Sequence, residues 1–221
     1  MPEVAILALY PGNIPTCQID TVCYNYLQEG TRTMSESIPT QHPLKKLFST
    51  LTEMSFLGKL NWTDPPVTGY ITNLLTEFSR SDNVFKIQDR RGESVQAVVQ
   101  LLYEAEVLLN AGSFERERQV RQHIGDYTLF MMGLFPEYFQ RLKTGKMVHH
   151  PDFLVDYVKV GKKSYRIVSE FTSGDFREAA LLFKKLSDNF ELCILGLGYV
   201  RQELNRLRLP EYQQLQRALL N

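Results

Sequence analysis

Residues 113–143 constrain this chain more than any other stretch, because they hold the longest apolar run set inside a helical pattern. Val120, Ile124, Tyr127, Met131 and Leu134 recur at spacings of four, three, four and three, which is one face of an α-helix. Between residues 129 and 135 the segment is apolar on every side, with Phe130, Met132 and Phe135 off that stripe, so its C-terminal half is predicted to be buried all round. A second row beside the stripe, His123, Asp126, Phe130 and Gly133, brings an imidazole and a carboxylate to the edge of the core, one turn apart. Ser113 suits the N-cap of this helix and Gly112 the C-cap of the one before it. Pro136 lacks a donor N–H, so the helix is predicted to end or kink near Gly133, with a short helix running from Pro136 through Leu142.

The same periodicity recurs elsewhere. Pro43 opens a helix carrying Leu44, Leu47, Phe48 and Leu51 toward Leu60, and Pro65 and Pro66 open one whose inner face is Val67, Ile71, Leu74, Leu75 and Phe78. After a polar connection over 79–92, a helix is predicted to bury Val95, Val98, Val99, Leu102 and Val107 through Leu109. Phe153, Tyr157, Val160, Ser164, Ile167, Val168 and Phe171 trace another, with Gly161 and Ser164 as small residues that admit a close neighbour. Phe176, Ala180, Phe183 and Leu186 mark the next. Residues 188–198 suit a buried strand or a helix equally, and helices follow over about 199–209 and 211–220. Residues 3–10 are open to a short N-terminal strand, 17–27 fit a helix, and 30–43, rich in Thr, Ser, Glu and Pro, read as a mobile loop. With hairpin signals almost absent, the expected fold is all-α: a single multi-helix, bundle-like domain of about eight helices over 1–221, with a sub-bundle boundary near 143–151.

Composition narrows the function classes. Lysine plus arginine equals aspartate plus glutamate at 25 each, so no global field attracts nucleic acid or an acidic membrane surface. Three cysteines, Cys17, Cys23 and Cys193, form neither a disulfide framework nor a zinc-finger spacing, and Cys193 reads as a core thiol. The apolar runs at 4–10 and 192–200 are too short to span a bilayer, and the first follows Glu3 rather than a basic region. A soluble, cytoplasmic protein without membrane insertion is expected.

Candidate chemistry centres on His123 and Asp126, since a histidine oriented by a carboxylate is common to general bases and metal ligands. Glu170 and Tyr165, on another broad helix, are the expected partners of a catalytic pair. Arg118, about one and a half turns before His123, is an expected anion-holding group. The Glu-x-x-His sites of a carboxylate-bridged metal bundle are missing, so no metal is assigned. His149, His150 and Asp152 resemble ligands in composition but read as a solvated loop, and no P-loop, dinucleotide fingerprint or nucleophile elbow occurs. Over 141–166, seven basic side chains, Lys163 and Arg166 among them, stand against Asp152 and Asp156, a local excess of five positive charges that would suit an anionic ligand or protein partner. The sequence names no cofactor. The reading it supports is a non-enzymatic module that binds a ligand or a protein; the alternative is a metal-assisted hydrolase or oxidoreductase with a His/Asp/Glu pocket.

Overall fold

A computed structural model of the chain describes residues 43–88, 92–95, 97–105, 113–144, 150–152, 155–172 and 176–220. The expectations for residues 3–10, 17–27 and 30–42, for Val107 through Leu109 and Gly112, for residues 145–149 and for Phe153 lie outside the described residues. Ten α-helices and no strand are found among those described, in agreement with the all-α reading. They are α1 (Pro43–Glu53), which continues as a π-helical stretch over Met54–Lys59, α2 (Pro65–Phe78), α3 (Ser81–Val84), α4 (Val98–Glu104), α5 (Phe114–Leu134), α6 (Pro136–Lys143), α7 (Tyr157–Ser169), α8 (Phe176–Asp188), α9 (Phe190–Leu207) and α10 (Pro210–Leu220). Residues from Phe48 to Asn221 form one compact unit. No described helix is long and apolar enough to cross a membrane.

Helix α5 is the predicted central rod. Ser113 is extended (φ −154°, ψ 154°) and its hydroxyl accepts the Arg116 N–H at 3.1 Å, while Glu115 and Glu117 sit favourably in the first turn. From Val120 to Leu134 every residue except Gln122 and Met132 is buried. The helix stops at Leu134, and Pro136 opens α6 as its missing donor requires. Its main neighbours are α7 and α9, and α8 packs on α7.

Glycines set how closely these helices approach. A Cβ on Gly125 would collide with the Tyr165 ring, and one on Gly161 with Phe190 and the Thr128 hydroxyl. Gly161 and Ser164 therefore serve the close packing their sequence positions suggest, with Ser164 wholly buried. Of residues 188–198, ambiguous by sequence, Asp188 ends α8, Asn189 caps the next helix and 190–198 belong to the single long helix α9; Gly196 leaves the space that Phe56 fills and is a helix-packing notch. Burial pushes the Cys193 thiol in this helix up to about 12, as suits a core residue.

The predicted helix over 95–109 needs correction. It begins only at Val98; Val95 is buried in the segment before it, donating its N–H to the Ile87 carbonyl at 2.8 Å, and Val99 is 41% exposed while Leu101 takes the inner position. A distant side chain explains the late start. Asp152, only 1% exposed, accepts the Val98 N–H at 2.7 Å and the Val99 N–H at 2.8 Å, capping α4 from 54 residues away, and the Tyr157 hydroxyl donates to the same carboxylate at 2.8 Å. Beside it, the Asp152 N–H donates to Nδ1 of His150, and Nε2 of that ring meets the Tyr138 hydroxyl, both at 3.1 Å. Because Nδ1 accepts, the neutral ring carries its proton on Nε2 and donates to Tyr138. The expected solvated loop is thus a structural clamp.

Two stability predictions follow from this packing. Gly161→Ala is expected to cost about 1–3 kcal/mol through overpacking, whereas Gly58→Ala, with nothing within 4 Å of the added Cβ, introduces no clash; urea midpoints distinguish them. Asp152→Ala strands two backbone donors and a tyrosine hydroxyl and is expected to lose roughly 3 kcal/mol, against about 1 kcal/mol for Asp156→Ala, which removes the exposed cap of α7.

Candidate functional site

Asp126 lies in the middle of α5, 5% exposed, and its Oδ1 accepts hydrogen bonds from two tyrosines: Tyr70 of α2 at 2.6 Å and Tyr165 of α7 at 2.8 Å. Gln122, one turn earlier on α5, donates from Nε2 to the Tyr70 hydroxyl at 3.2 Å. Rings enclose this junction. Tyr70 and Tyr165 meet edge to face at 6.5 Å, Phe183 of α8 lies 5.4 Å from Tyr70 and 5.6 Å from Tyr165, and Phe190 lies 5.9 Å from Tyr165. Burial pushes the Asp126 carboxyl up to about 6, although both tyrosine hydroxyls oppose the shift by stabilising the anion. Both tyrosines are driven well above the usual phenol range, first by burial and then by the neighbouring carboxylate.

His123 does not join this network. It is 1% exposed, its ring lies 5.8 Å from Phe78 and 6.4 Å from Tyr127, and neither ring nitrogen has a hydrogen-bond partner. Burial and then the charge of Lys86 lower it to about 3; the Val84 backbone favours the protonated ring without reaching hydrogen-bond geometry. The imidazole is therefore neutral across the physiological range. Three residues of helical separation place the two side chains on neighbouring faces: α2 reaches both, setting Phe78 against His123 and the Tyr70 hydroxyl on Asp126, and α7 adds Tyr165 on the Asp126 side alone.

Of the residues singled out by sequence, the structure joins Asp126 to Tyr165 and leaves the others apart. Glu170 is exposed at the end of α7, and no hydrogen bond ties it to His123 or Asp126. Lys163 is exposed; Arg166 pairs with Asp188 at 3.4 Å and its neighbour Lys162 with Glu191 at 2.7 Å, so part of the basic cluster is met by acids of α8 and α9. Among the described residues no three His, Cys, Asp or Glu side chains are placed to hold a metal ion.

Arg118 stands two turns before Asp126 on the same line of α5. Its guanidinium carbon lies 4.1 Å from the centre of the Phe176 ring and 5.9 Å from that of Phe183, and its Nε is buried without a hydrogen-bond partner. Burial lowers its pKa, opposed by Tyr70 and Glu115, but a guanidinium remains charged. Sequence reasoning missed Tyr70 and Gln122. The spacing of 118, 122 and 126 was the available signal for Gln122, whereas Tyr70 sits beside the apolar stripe of α2 with nothing local to mark its partner. No protein-family model, curated protein or solved structure matches the chain.

The two buried ionisable groups on α5 pull stability in opposite directions with pH. Asp126 has its folded-state value, about 6, above the 3.8 of an exposed carboxyl, so its contribution is full below that ordinary value and is lost as pH rises through 6. His123, lowered from 6.5 to about 3, contributes fully above 6.5 and loses that contribution as pH falls. From about pH 4 to about pH 6 each slope approaches 1.4 kcal/mol per unit and the two nearly cancel. Relative to the wild type, Asp126→Asn is therefore expected to gain stability as pH rises across that window and His123→Leu to lose its advantage; parallel pH profiles of the urea midpoints would contradict this.

Proposed function

We propose that the protein is a non-enzymatic helical module that binds an anionic ligand or an acidic stretch of a partner protein, with Arg118 as the receptor. One observation carries this reading: among the described residues no carboxylate pairs with the Arg118 guanidinium, although it is half-buried against Phe176. A cation partly removed from water without a counter-ion is unfavourable, and an incoming anion offsets that cost. The groups that an acid–base reaction would need are committed to the interior instead. His123 is walled by rings, and Asp126 is held by two hydroxyls. The metal-assisted alternative has less support, because among the described residues no three His, Cys, Asp or Glu side chains converge and neither nitrogen of His123 has a hydrogen-bond partner. Lys159 and Lys163 on the exposed side of α7 add positive potential, while the ion pairs of Lys162 and Arg166 are surface pairs that contribute little to stability.

The test follows the backbone N–H resonance of Gln119, next to Arg118, by nitrogen–proton NMR while the intact protein is titrated with inorganic phosphate and, separately, with a capped hexaglutamate peptide. At least one probe is expected to shift the resonance saturably, more weakly once salt shortens the Debye length to about 8 Å, and to lose its effect in Arg118→Gln. No saturable shift with either probe, or binding indifferent to salt or to Arg118→Gln, overturns the reading.

A further inference from the structure

Phe114, Arg118, Gln122 and Asp126 follow at intervals of four along α5 and so form one line on the helix. Burial deepens along it. Phe114 is 70% exposed, Arg118 and Gln122 are half-buried, and Asp126 is sealed by Tyr70 and Tyr165. At the outer end, therefore, an exposed phenyl ring lies one turn from an arginine stacked on a second phenyl ring, that of Phe176. The Phe176 ring covers one side of the guanidinium and Nε is buried, which leaves the two terminal amino groups as the side from which an acceptor with two oxygens can approach.

The composition of this end distinguishes among anions. A free phosphate would satisfy the fork but leave the Phe114 ring in water. A carboxylate carried next to an apolar side chain would use both, and paired arginine and aromatic side chains are the types that dominate binding energy at protein interfaces. Building on the reading of Arg118 as an anion receptor, we infer that the Phe114–Arg118–Phe176 end of α5 docks an acidic segment of a partner protein in which an Asp or Glu adjoins an aromatic or large aliphatic residue. Charge complementarity selects the acid, with the carboxylate bridging the Arg118 edge, and the exposed ring selects its neighbour, which covers Phe114.

Small fragments test the two halves separately on the full-length protein, again through the Gln119 backbone N–H resonance. Phenylacetate is expected to bind severalfold and up to about tenfold more tightly than acetate, as an aromatic contact of ordinary strength predicts, and phenylethanol not to bind. Phe114→Ala, a change at an exposed position that leaves the core intact, is expected to reduce phenylacetate to the level of acetate, and Arg118→Gln to abolish both. Equal binding of phenylacetate and acetate, insensitivity to Phe114→Ala, or inorganic phosphate binding more tightly than phenylacetate overturns the inference, and each of these outcomes leaves the anion-receptor reading standing. Absence of a saturable shift with phenylacetate and acetate alike overturns the inference, and absence with inorganic phosphate and the hexaglutamate peptide as well overturns both.

Discussion

A carboxylate in the middle of a buried helix must be satisfied, and the way Asp126 is satisfied decides how α2 and α7 meet α5. Its Oδ1 receives hydroxyls from both neighbours, so each helix is registered against α5 through one tyrosine. Gly125, the residue before Asp126, makes the second of these bonds possible: the Tyr165 ring occupies the space a Cβ would fill, and only at that approach does its hydroxyl reach the carboxylate. The adjacent glycine and aspartate thus act together, one supplying room and the other the acceptor. Neutral donors at such a site leave the charge undispersed, which is why burial outweighs the hydrogen bonds and the carboxyl is pushed up rather than down.

Asp152 meets the same requirement differently. Its carboxylate is equally hidden but receives two backbone N–H groups at the N-terminus of α4 together with a tyrosine hydroxyl. Backbone amides at a helix start are aligned with the helix dipole, so they stabilise negative charge more effectively than isolated hydroxyls. One carboxylate therefore fixes where a helix begins, and the other fixes how two helices cross a third.

The fold was legible wherever a helix makes its own signals. Ser113, Pro136, Pro65 and Pro210 mark their helix starts, and the apolar stripe of α5 marks its burial, because these effects depend on residues within a turn or two of one another. Legibility failed where a partner far along the chain decides. Val99 resembles a core residue until Asp152 caps α4 in a frame that turns it outward, and the apolar run of α9 suits a strand as well as a helix until Phe56 is seen to fill the notch at Gly196. For the site, sequence placed His123 and Asp126 at the core edge but could not show that Phe78 faces one and Tyr70 the other. Helical spacing gives the face a residue occupies; the identity of what covers that face is a tertiary fact.

The contrast between the two ends of the α5 polar line bears most directly on function. Arg118 and Asp126 are eight residues apart, about 12 Å along the axis, too far for the cation and carboxylate to neutralise each other directly. Tyr70 and Gln122 fill the interval with neutral groups, Gln122 donating to the Tyr70 hydroxyl and that hydroxyl to Asp126. The inner charge is thereby closed off with its own donors, while the outer charge is left facing the solvent boundary with aromatic support, with Glu115 acting on it only through space and no carboxylate in ion-pair contact among the described residues. A polar line serving only the core would need no cation at its mouth, and a solvated surface arginine would need no ring beneath it. The combination at Arg118 is what a preorganised contact for an incoming anion requires: a fixed fork, partly dry, whose hydrogen-bonding edge is not consumed by the protein's own carboxylates.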